Sequence, residues 1–324
     1  MASPKWSVFD LVEAYQLSRA VAVLNDLKVF ETARPFSVKQ FAEKHGLDAT
    51  LLAGVLEYIA LRTDLLRRTA NEQFVVTRNN SRFLIDLYTG AYGGTADQLA
   101  KILRDPAIAP ASVDRVRYAR AFESVDGAAQ GILPDVISAL KFNYTIDLGC
   151  GNGDLLLELA QRNGSFVGWG IDSNPAMLKV ARARLREAHA GKRVRFLEAD
   201  AARLHKEIPA SVRSQIRSIT CCNFANEMFG HGERQVIKWF RELRKLFPGR
   251  PLLNCDYYGR LGRTKNRKLQ RETLLHDYAQ LISGQGIPPA TMAQWRSIYS
   301  RAGCHLVHVI EDTSTTRFIH IVGL

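Results

Sequence analysis

No apolar run in this 324-residue chain is long enough to cross a bilayer. A membrane-spanning helix needs about 20 consecutive apolar residues. The N-terminal stretch MASPKWSVFDLVEAYQLSRA also lacks the basic and then apolar layout of a secretion signal. We therefore expect a cytoplasmic protein with no membrane partner.

Cysteine is scarce, with five residues of which Cys221 and Cys222 are adjacent. An odd number with no framework spacing does not predict a disulfide scaffold. It is typical of reduced thiols inside a protein of the cytosol.

Acidic residues are outnumbered, which leaves a net charge of +12. Such a charge first suggests a nucleic-acid partner. However, the basic residues are dispersed, and the one dense cluster, GRLGRTKNRKLQRE, contains no aromatic residue on which a base could stack. We therefore expect a soluble protein that attracts small acidic ligands and binds no nucleic acid.

Residues 1–105 have mostly helical periodicity. The segment FSVKQFAEKHGLDATLLAGVLEYIALR predicts two amphipathic helices, with Asp48 and Thr50 placed to cap the second. The following LLRRTANEQFVVT predicts a short hairpin around residues 70–72. Two helices and a hairpin make a winged helix, which is often a DNA-binding fold.

The helix that would enter the major groove has only Arg62 as a basic residue. Base recognition needs several Arg, Lys, Asn or Gln side chains on that face. We therefore interpret this region as a dimerisation and substrate-capping domain, and expect a homodimer.

Residues 106–140 are expected to form a helical linker or lid, with Tyr118 near the site and Arg115, Arg117 and Arg120 in solvent. From residue 141 to 324, short apolar runs such as YTIDLGC and FVGWGID alternate with helical patterns. That alternation predicts an α/β, doubly wound, Rossmann-like core. The tail HLVHVIEDTSTTRFIHIVGL predicts an antiparallel pair at the edge of the sheet.

The strongest motif is DLGCGNG, which contains Asp147, Gly149, Gly151 and Gly153 between a strand and a helix. Glycines at this position let the backbone turn tightly and approach a ligand. The next strand ends at Asp172, where a carboxylate can accept both hydroxyls of a ribose. The third strand ends beside Asp200, which can accept from an adenine amine.

A NAD-type dinucleotide is one ligand for such a site. However, Asp154 opens the helix after the glycines, where it would repel a pyrophosphate. Asp147 can instead hold an ammonium group. An adenosine with a cationic amino-acid tail therefore fits these residues better than a dinucleotide.

The motifs DLGCGNG, GIDSNP and EADAAR resemble the nucleoside site of class I S-adenosylmethionine methyltransferases. The resemblance implies S-adenosylmethionine as cofactor. It also implies that Ser173, Ala201 and Asn223 join the acidic and glycine residues of the motifs in binding it.

With its winged-helix first half, the chain resembles dimeric small-molecule O-methyltransferases along nearly its whole length. In that family a catalytic His opens the helix after the fourth strand, and His231 in EMFGHGER matches that position. There it would act as the general base. The following Gly232 departs from the family pattern.

The segments LLNCDYYGRLG and LLHDYAQLISGQGIPP resemble the metal-dependent 2-oxo acid C-methyltransferases. That resemblance implies a divalent non-haem metal, Fe or Zn, held by His231 and His276. Such a metal would stabilise an enolate as a Lewis acid. Two histidines so far apart in the chain can equally belong to no common site.

Glu227 and Tyr257 are further candidates for catalysis, because each lies at the carboxyl end of a predicted strand. Gln285 is a candidate pocket residue. The leading prediction is C-methylation of a small 2-oxo acid. The alternatives are O-methylation with His231 as base, and a winged-helix regulator that only binds S-adenosylmethionine.

Overall fold

The computed structural model describes residues 6–77, 82–123, 132–204, 208–262, 271–312 and 316–324. Most of the basic cluster noted above, residues 263–270, lies outside the described residues. Within the described parts, no helix has both the length and the apolar character to cross a membrane.

The N-terminal region is helical apart from one hairpin. The α-helices are α1 Val8–Asp26, α2 Val38–His45, α3 Ala49–Arg62, α4 Arg82–Leu84, α5 Gly93–Asp97, α6 Leu99–Ile102, α7 Arg115–Glu123 and α8 Leu133–Ala139. The strands β1 Leu66–Arg68 and β2 Phe74–Val76 pair antiparallel. A π-helical turn spans Ile85–Ala91, and 3-10 helices span Val29–Glu31 and Pro106–Ser112. The predicted order of two helices and a hairpin is confirmed.

Local signals in the sequence explain where these helices begin and end. Asp48 caps α3 by accepting a hydrogen bond of 2.8 Å from the Leu51 amide, as predicted. Gly46 ends α2 with φ of +64°, a conformation that glycine adopts without strain. A separate apolar core, which includes Leu24, Leu56 and Ile59, holds this region together.

The C-terminal region is a seven-stranded sheet with helices on both faces. Its strands are β3 Tyr144–Leu148, β4 Val167–Asp172, β5 Val194–Glu198, β6 Ser218–Cys222, β7 Pro251–Tyr257, β8 His305–Glu311 and β9 Arg317–Gly323. Its helices are α9 Asp154–Arg162, α10 Pro175–Glu187, α11 Ala210–Arg213, α12 Glu233–Leu246, α13 Arg271–Ile282 and α14 Met292–Arg301, with a 3-10 helix at Glu227–His231.

The strand order is β5-β4-β3-β6-β7-β9-β8. The first five strands of this order are parallel, whereas β9 runs antiparallel to both β7 and β8. The predicted doubly wound core and its antiparallel edge are therefore confirmed. The direction of winding reverses between β3 and β6, which opens a crevice at their carboxyl ends.

The segment between the two regions is tied to both of them. Arg117 pairs with Asp26 of α1 at 2.9 Å, and Arg120 pairs with Glu31 at 3.1 Å. Both arginine side chains remain partly exposed, and both also form ion pairs, which the prediction of solvated side chains did not include. Their ion pairs fix α7 against the N-terminal helices.

A close backbone contact joins the 3-10 helix at Glu227–His231 to the loop after α13. The Gly230 amide donates a hydrogen bond of 2.7 Å to the Gln285 carbonyl. A Cβ atom on Gly230 would lie 1.7 Å from the Gly284 carbonyl oxygen. Only glycine fits, because the obstacle is backbone and not a movable side chain.

We expect Gly230→Ala to lower the free energy of unfolding by about 2 kcal/mol or more, the cost of inserting an atom into a packed contact. Gly164→Ala is the matched control, since a Cβ there meets nothing within 4 Å. Chemical denaturation of both variants measures the difference. Equal stability of the two would contradict the importance of this contact.

Candidate functional site

A cavity of about 460 Å³ lies at the carboxyl ends of β3, β4, β6 and β7. This volume is in the range of small-molecule sites. Its wall comprises Phe83, Arg115, Tyr118, Phe122, Asp147, Gly149, Cys150, Gly151, Asn152, Asp154, Asp172, Ser173, Asn174, Pro175, Met177, Ala201, Cys222, Asn223, Phe224, Glu227, Cys255 and Arg317. Most of the predicted cofactor residues therefore share one cavity.

The glycine loop after β3 is held in place by the carboxylate that ends β4. Asp172 accepts hydrogen bonds from the Gly151 amide at 2.9 Å and from the Asn174 amide at 2.8 Å. Gly149 and Gly153 have φ of +72° and +80°, and a Cβ on either would collide with an aromatic ring. The backbone of the glycine loop therefore packs closely against these rings. The Asp172 carboxylate still has free lone pairs with which to accept hydrogen bonds from a ligand.

Asp147 is buried at the end of β3, where it accepts a hydrogen bond of 2.7 Å from the Thr220 hydroxyl. Burial raises the pKa of Asp147 to about 7, in spite of that hydrogen bond. A cation bound nearby would favour the ionised form. The position suits the ammonium group for which the sequence predicted it.

The other predicted cofactor residues divide into two groups. Ser173, Ala201 and Asn223 line the cavity, and Asn223 adopts φ of +48°. Asp200 is not among the lining residues; it pairs with Arg203 at 3.3 Å, and its side chain is 46% exposed. Its role toward an adenine stays a prediction.

The N-terminal region and α7 close the other side of the cavity. Phe83, Tyr118 and Phe122 form an aromatic wall, in which the Tyr118 and Phe122 ring centroids are 5.0 Å apart. Arg115 also lines the cavity. Sequence reasoning anticipated Tyr118 but missed the two phenylalanines, because no local motif marks such positions. The exposure of Arg115 agrees with the prediction of a solvated side chain.

Glu227 lines the cavity at the start of the 3-10 helix after β6. Burial raises the pKa of Glu227 to about 7, while the positive charge of Arg115 acts in the opposite direction. A carboxyl group that titrates near neutral pH can take a proton from a bound molecule. Glu227 is thus a candidate general base, and Asp147 is the other cavity carboxyl with a pKa of about 7.

A buried polar layer lies beside Glu227. The Gln285 side chain belongs to it and acts to lower the pKa of Glu227, against the effect of burial. The Gln285 side-chain oxygen Oε1 accepts hydrogen bonds from the Tyr92 hydroxyl at 3.2 Å and from the Ser283 hydroxyl at 3.1 Å. The predicted pocket residue Gln285 is therefore buried and does not line the cavity itself.

The structure does not support His231 and His276 as a pair of metal ligands. The His276 ring nitrogens lie 3.3 Å from the Tyr88 hydroxyl and 3.3 Å from the Gln280 side-chain nitrogen. Burial lowers the pKa of His276 to about 4, which keeps the ring neutral. His231 is exposed and is not among the residues lining the cavity.

Larger groups of possible metal ligands are also absent from the described ranges. Within the described ranges, no group of three or more His, Cys, Asp or Glu residues is arranged to hold a metal. Tyr257 packs edge-on against His276, with ring centroids 5.1 Å apart, and lies outside the cavity wall. Its catalytic role stays a prediction.

Comparison with known families identifies the central part of the core. Residues 146–246 match the family model described as a methyltransferase domain. The chain carries a methyltransferase domain. The matched segment runs from β3 to the end of α12, and it includes the glycine loop, Asp172 and Glu227.

A curated relative that is also named a methyltransferase is methyltransferase ungE' of Aspergillus campestris. It is 27% identical over 183 residues, which make up 52% of this chain and 50% of the relative. The match thus spans about half the length of that protein.

Solved structures extend the likeness to the whole fold. Mitomycin 7-O-methyltransferase MmcR superposes with a TM-score of 0.77 at 16% identity, covering 98% of this chain and 96% of that one. CalO1, a methyltransferase of calicheamicin biosynthesis solved in an SAH-bound form, gives a TM-score of 0.66 at 18% identity, covering 98% and 96%. The N-terminal region and the core together therefore have the fold of these enzymes.

Proposed function

We propose that this protein transfers a methyl group from S-adenosylmethionine to an oxygen atom of a small molecule. The observation that carries the proposal is the single cavity, which is lined both by the nucleoside-type residues and by the half-buried Glu227 carboxyl. The methyltransferase domain and the whole-chain likeness to an O-methyltransferase support it.

The residues at the carboxyl ends of β3 and β4 fit this cofactor. Asp172 would accept the ribose hydroxyls, the glycine loop would lie against the amino-acid tail, and Asp147 would pair with its ammonium group. When bound, S-adenosylmethionine supplies an electrophilic methyl group on sulfur. A pyrophosphate fits poorly, because Asp154 lies in the cavity wall.

The acceptor would occupy the space between the aromatic wall and Glu227. Phe83, Tyr118 and Phe122 would bury its apolar part, and Glu227 would take the hydroxyl proton as the methyl group transfers. Arg115 and Arg317 also line the cavity, which favours an acidic acceptor. Positioning of the two reactants would contribute much of the rate enhancement.

C-methylation of a 2-oxo acid through a metal-bound enolate is the second candidate, on the segment resemblances described above. The structure does not support its two proposed ligands, because His276 has partners on both nitrogens and His231 is exposed. Glu227 offers a base that needs no metal. We therefore place O-methylation first.

Cofactor binding is tested by Asp172→Asn. We expect at least tenfold weaker binding of S-adenosylmethionine by calorimetry, because a charged hydrogen-bond acceptor contributes about 1.5–3 kcal/mol. The amide keeps an oxygen for the glycine loop, so the fold should survive, which thermal unfolding checks. Asp200→Asn is the control and should bind more tightly than Asp172→Asn. Equal affinity of Asp172→Asn and the unsubstituted chain would remove Asp172 from the site.

The general base is tested by comparing Glu227→Gln with His231→Ala. Glu227→Gln should reduce kcat at least 100-fold, the usual contribution of a base, and leave cofactor affinity intact. In the unsubstituted enzyme kcat/KM should rise with pH up to about 7 and then level, because Glu227 works in its ionised form. His231→Ala should keep both the rate and this profile.

A substrate screen, combined with the histidine variants, separates the two candidate reactions. A screen of hydroxylated acids and 2-oxo acids, each with and without a chelator, identifies the acceptor. Loss of activity on chelation, together with inactive His231→Ala and His276→Ala enzymes, would contradict our proposal and favour the metal-dependent reaction. Methylation of a hydroxyl that survives chelation would support it.

We also propose that the protein is a homodimer that binds no nucleic acid. Along α1, Val8 is 78% exposed, Phe9 71% and Tyr15 60%. Leu51 and Leu61 of the neighbouring α3 are also exposed, and Arg62 pairs with Glu13 of α1 at 2.7 Å. So large an apolar surface is typical of a protein interface. It also leaves α3 without the polar face that base recognition needs.

Light scattering at micromolar concentration should therefore give twice the chain mass. Replacing both Val8 and Phe9 by Lys should give a monomer, because charged side chains are poorly tolerated in the core of an interface. Val307→Lys is the matched control, since Val307 is also exposed, at 60%, and lies on β8, outside α1 and α3. A monomeric unsubstituted chain would contradict the proposal.

A further inference from the structure

Two thiols stand side by side in the wall of the cavity. Cys222 ends β6 and is paired in register with Cys255 of the parallel strand β7. Adjacent strands are about 4.8 Å apart, and disulfides join Cα atoms about 4.4–6.8 Å apart. Both side chains are partly exposed, and both line the cavity.

The two thiols influence each other's ionisation. The neighbouring Cys222 thiol lowers the pKa of Cys255, and the Cys255 sulfur raises the pKa of Cys222. Arg317 lines the same cavity, and its charge also favours the Cys255 thiolate. One sulfur is therefore prepared to act as a nucleophile and the other to remain a thiol.

The remaining cysteines differ in their surroundings. Cys221 and Cys304 are buried, and neither lines the cavity. The Cys221 thiol points to the opposite face of the sheet and donates to the Asn254 side-chain oxygen at 3.1 Å. Cys150 lines the cavity, but burial raises its pKa well above the usual range.

We propose that Cys222 and Cys255 form a dithiol site that hydroperoxides oxidise to a disulfide, and that this disulfide and the cofactor exclude each other. The second part rests on the proposed function, because it requires S-adenosylmethionine to occupy this cavity.

The reaction balances with one hydroperoxide. The Cys255 thiolate attacks the outer oxygen, the O–O bond breaks, and an alcohol or water leaves with a proton, which yields a sulfenic acid. The Cys222 sulfur then attacks the Cys255 sulfur, and the S–O bond breaks as water departs with the thiol proton. Two thiols lose two electrons in total, and the hydroperoxide gains them.

The test exposes the reduced full-length chain to hydrogen peroxide. Intact mass should fall by about 2 Da, the loss of two hydrogens in one disulfide. A non-reducing tryptic digest should link the peptide with Cys222 to the peptide with Cys255. Cys222→Ser and Cys255→Ser should lack the link, whereas Cys221→Ser, the adjacent control, should retain it.

Binding experiments decide the second part. Saturating S-adenosylmethionine should slow formation of the disulfide at least tenfold. Oxidation should weaken cofactor binding at least tenfold, and dithiothreitol should restore it. By linkage, a disulfide that weakens cofactor binding must itself be less stable when the cofactor is bound.

Absence of the linked peptide would overturn the dithiol site. A linked peptide with unchanged cofactor affinity would overturn the exclusion. Failure of the reduced chain to bind S-adenosylmethionine would instead contradict the proposed function, while the mass measurement still decides the dithiol site by itself.

Discussion

The hydrogen bond between the Gly151 amide and the Asp172 carboxylate organises the centre of this protein. It joins the loop after β3 to the end of β4 across 2.9 Å, on one side of the point at which the sheet changes its winding direction. If Asp172 moved, the glycine loop would lose the acceptor of its Gly151 amide, and the loop would be free to shift into the cavity that it lines. The same carboxylate thus builds the site and remains available to a ligand.

Burial gives the cavity its electrostatic character. Asp147 and Glu227 both have pKa values raised to about 7, and in both cases the largest cause is removal from water. The pKa of Asp256, which does not line the cavity, is raised to about 7 for the same reason. Carboxyl groups with a pKa near 7 respond strongly to a bound cation, because a nearby positive charge favours their ionised form. A cationic cofactor would therefore alter the protonation of its own site.

Much of the fold was predictable from the sequence, because the signals for it are local. Alternating apolar runs gave the strands, the DLGCGNG motif gave the glycine loop, and Asp48 gave the start of α3. Each of these features depends on neighbours in the chain. The residues that form the cofactor side of the cavity are of this kind, since they follow directly after strands.

The acceptor side could not be predicted in the same way. Phe83 and Arg115 line the cavity only because segments distant in the sequence pack together. No local sequence pattern predicts that packing. The structure does not support the predicted pair of His231 and His276, for a related reason. A resemblance of short segments named two suitable side chains, but the burial of His276 against Tyr88 and Gln280 is a property of the folded protein. Glu227 was only one candidate among several until its burial was known.

The contact between Gly230 and the loop after α13 has a consequence for how this protein can evolve. Insertions in either loop would displace both Gln285 and Glu227, because the two backbones touch without any intervening side chain. Homologues that change their acceptor are therefore expected to vary around Phe83 and Arg115, while the lengths of these two loops are conserved together. The position of Glu227 would then stay the same among homologues, while the acceptor they bind could change independently of it.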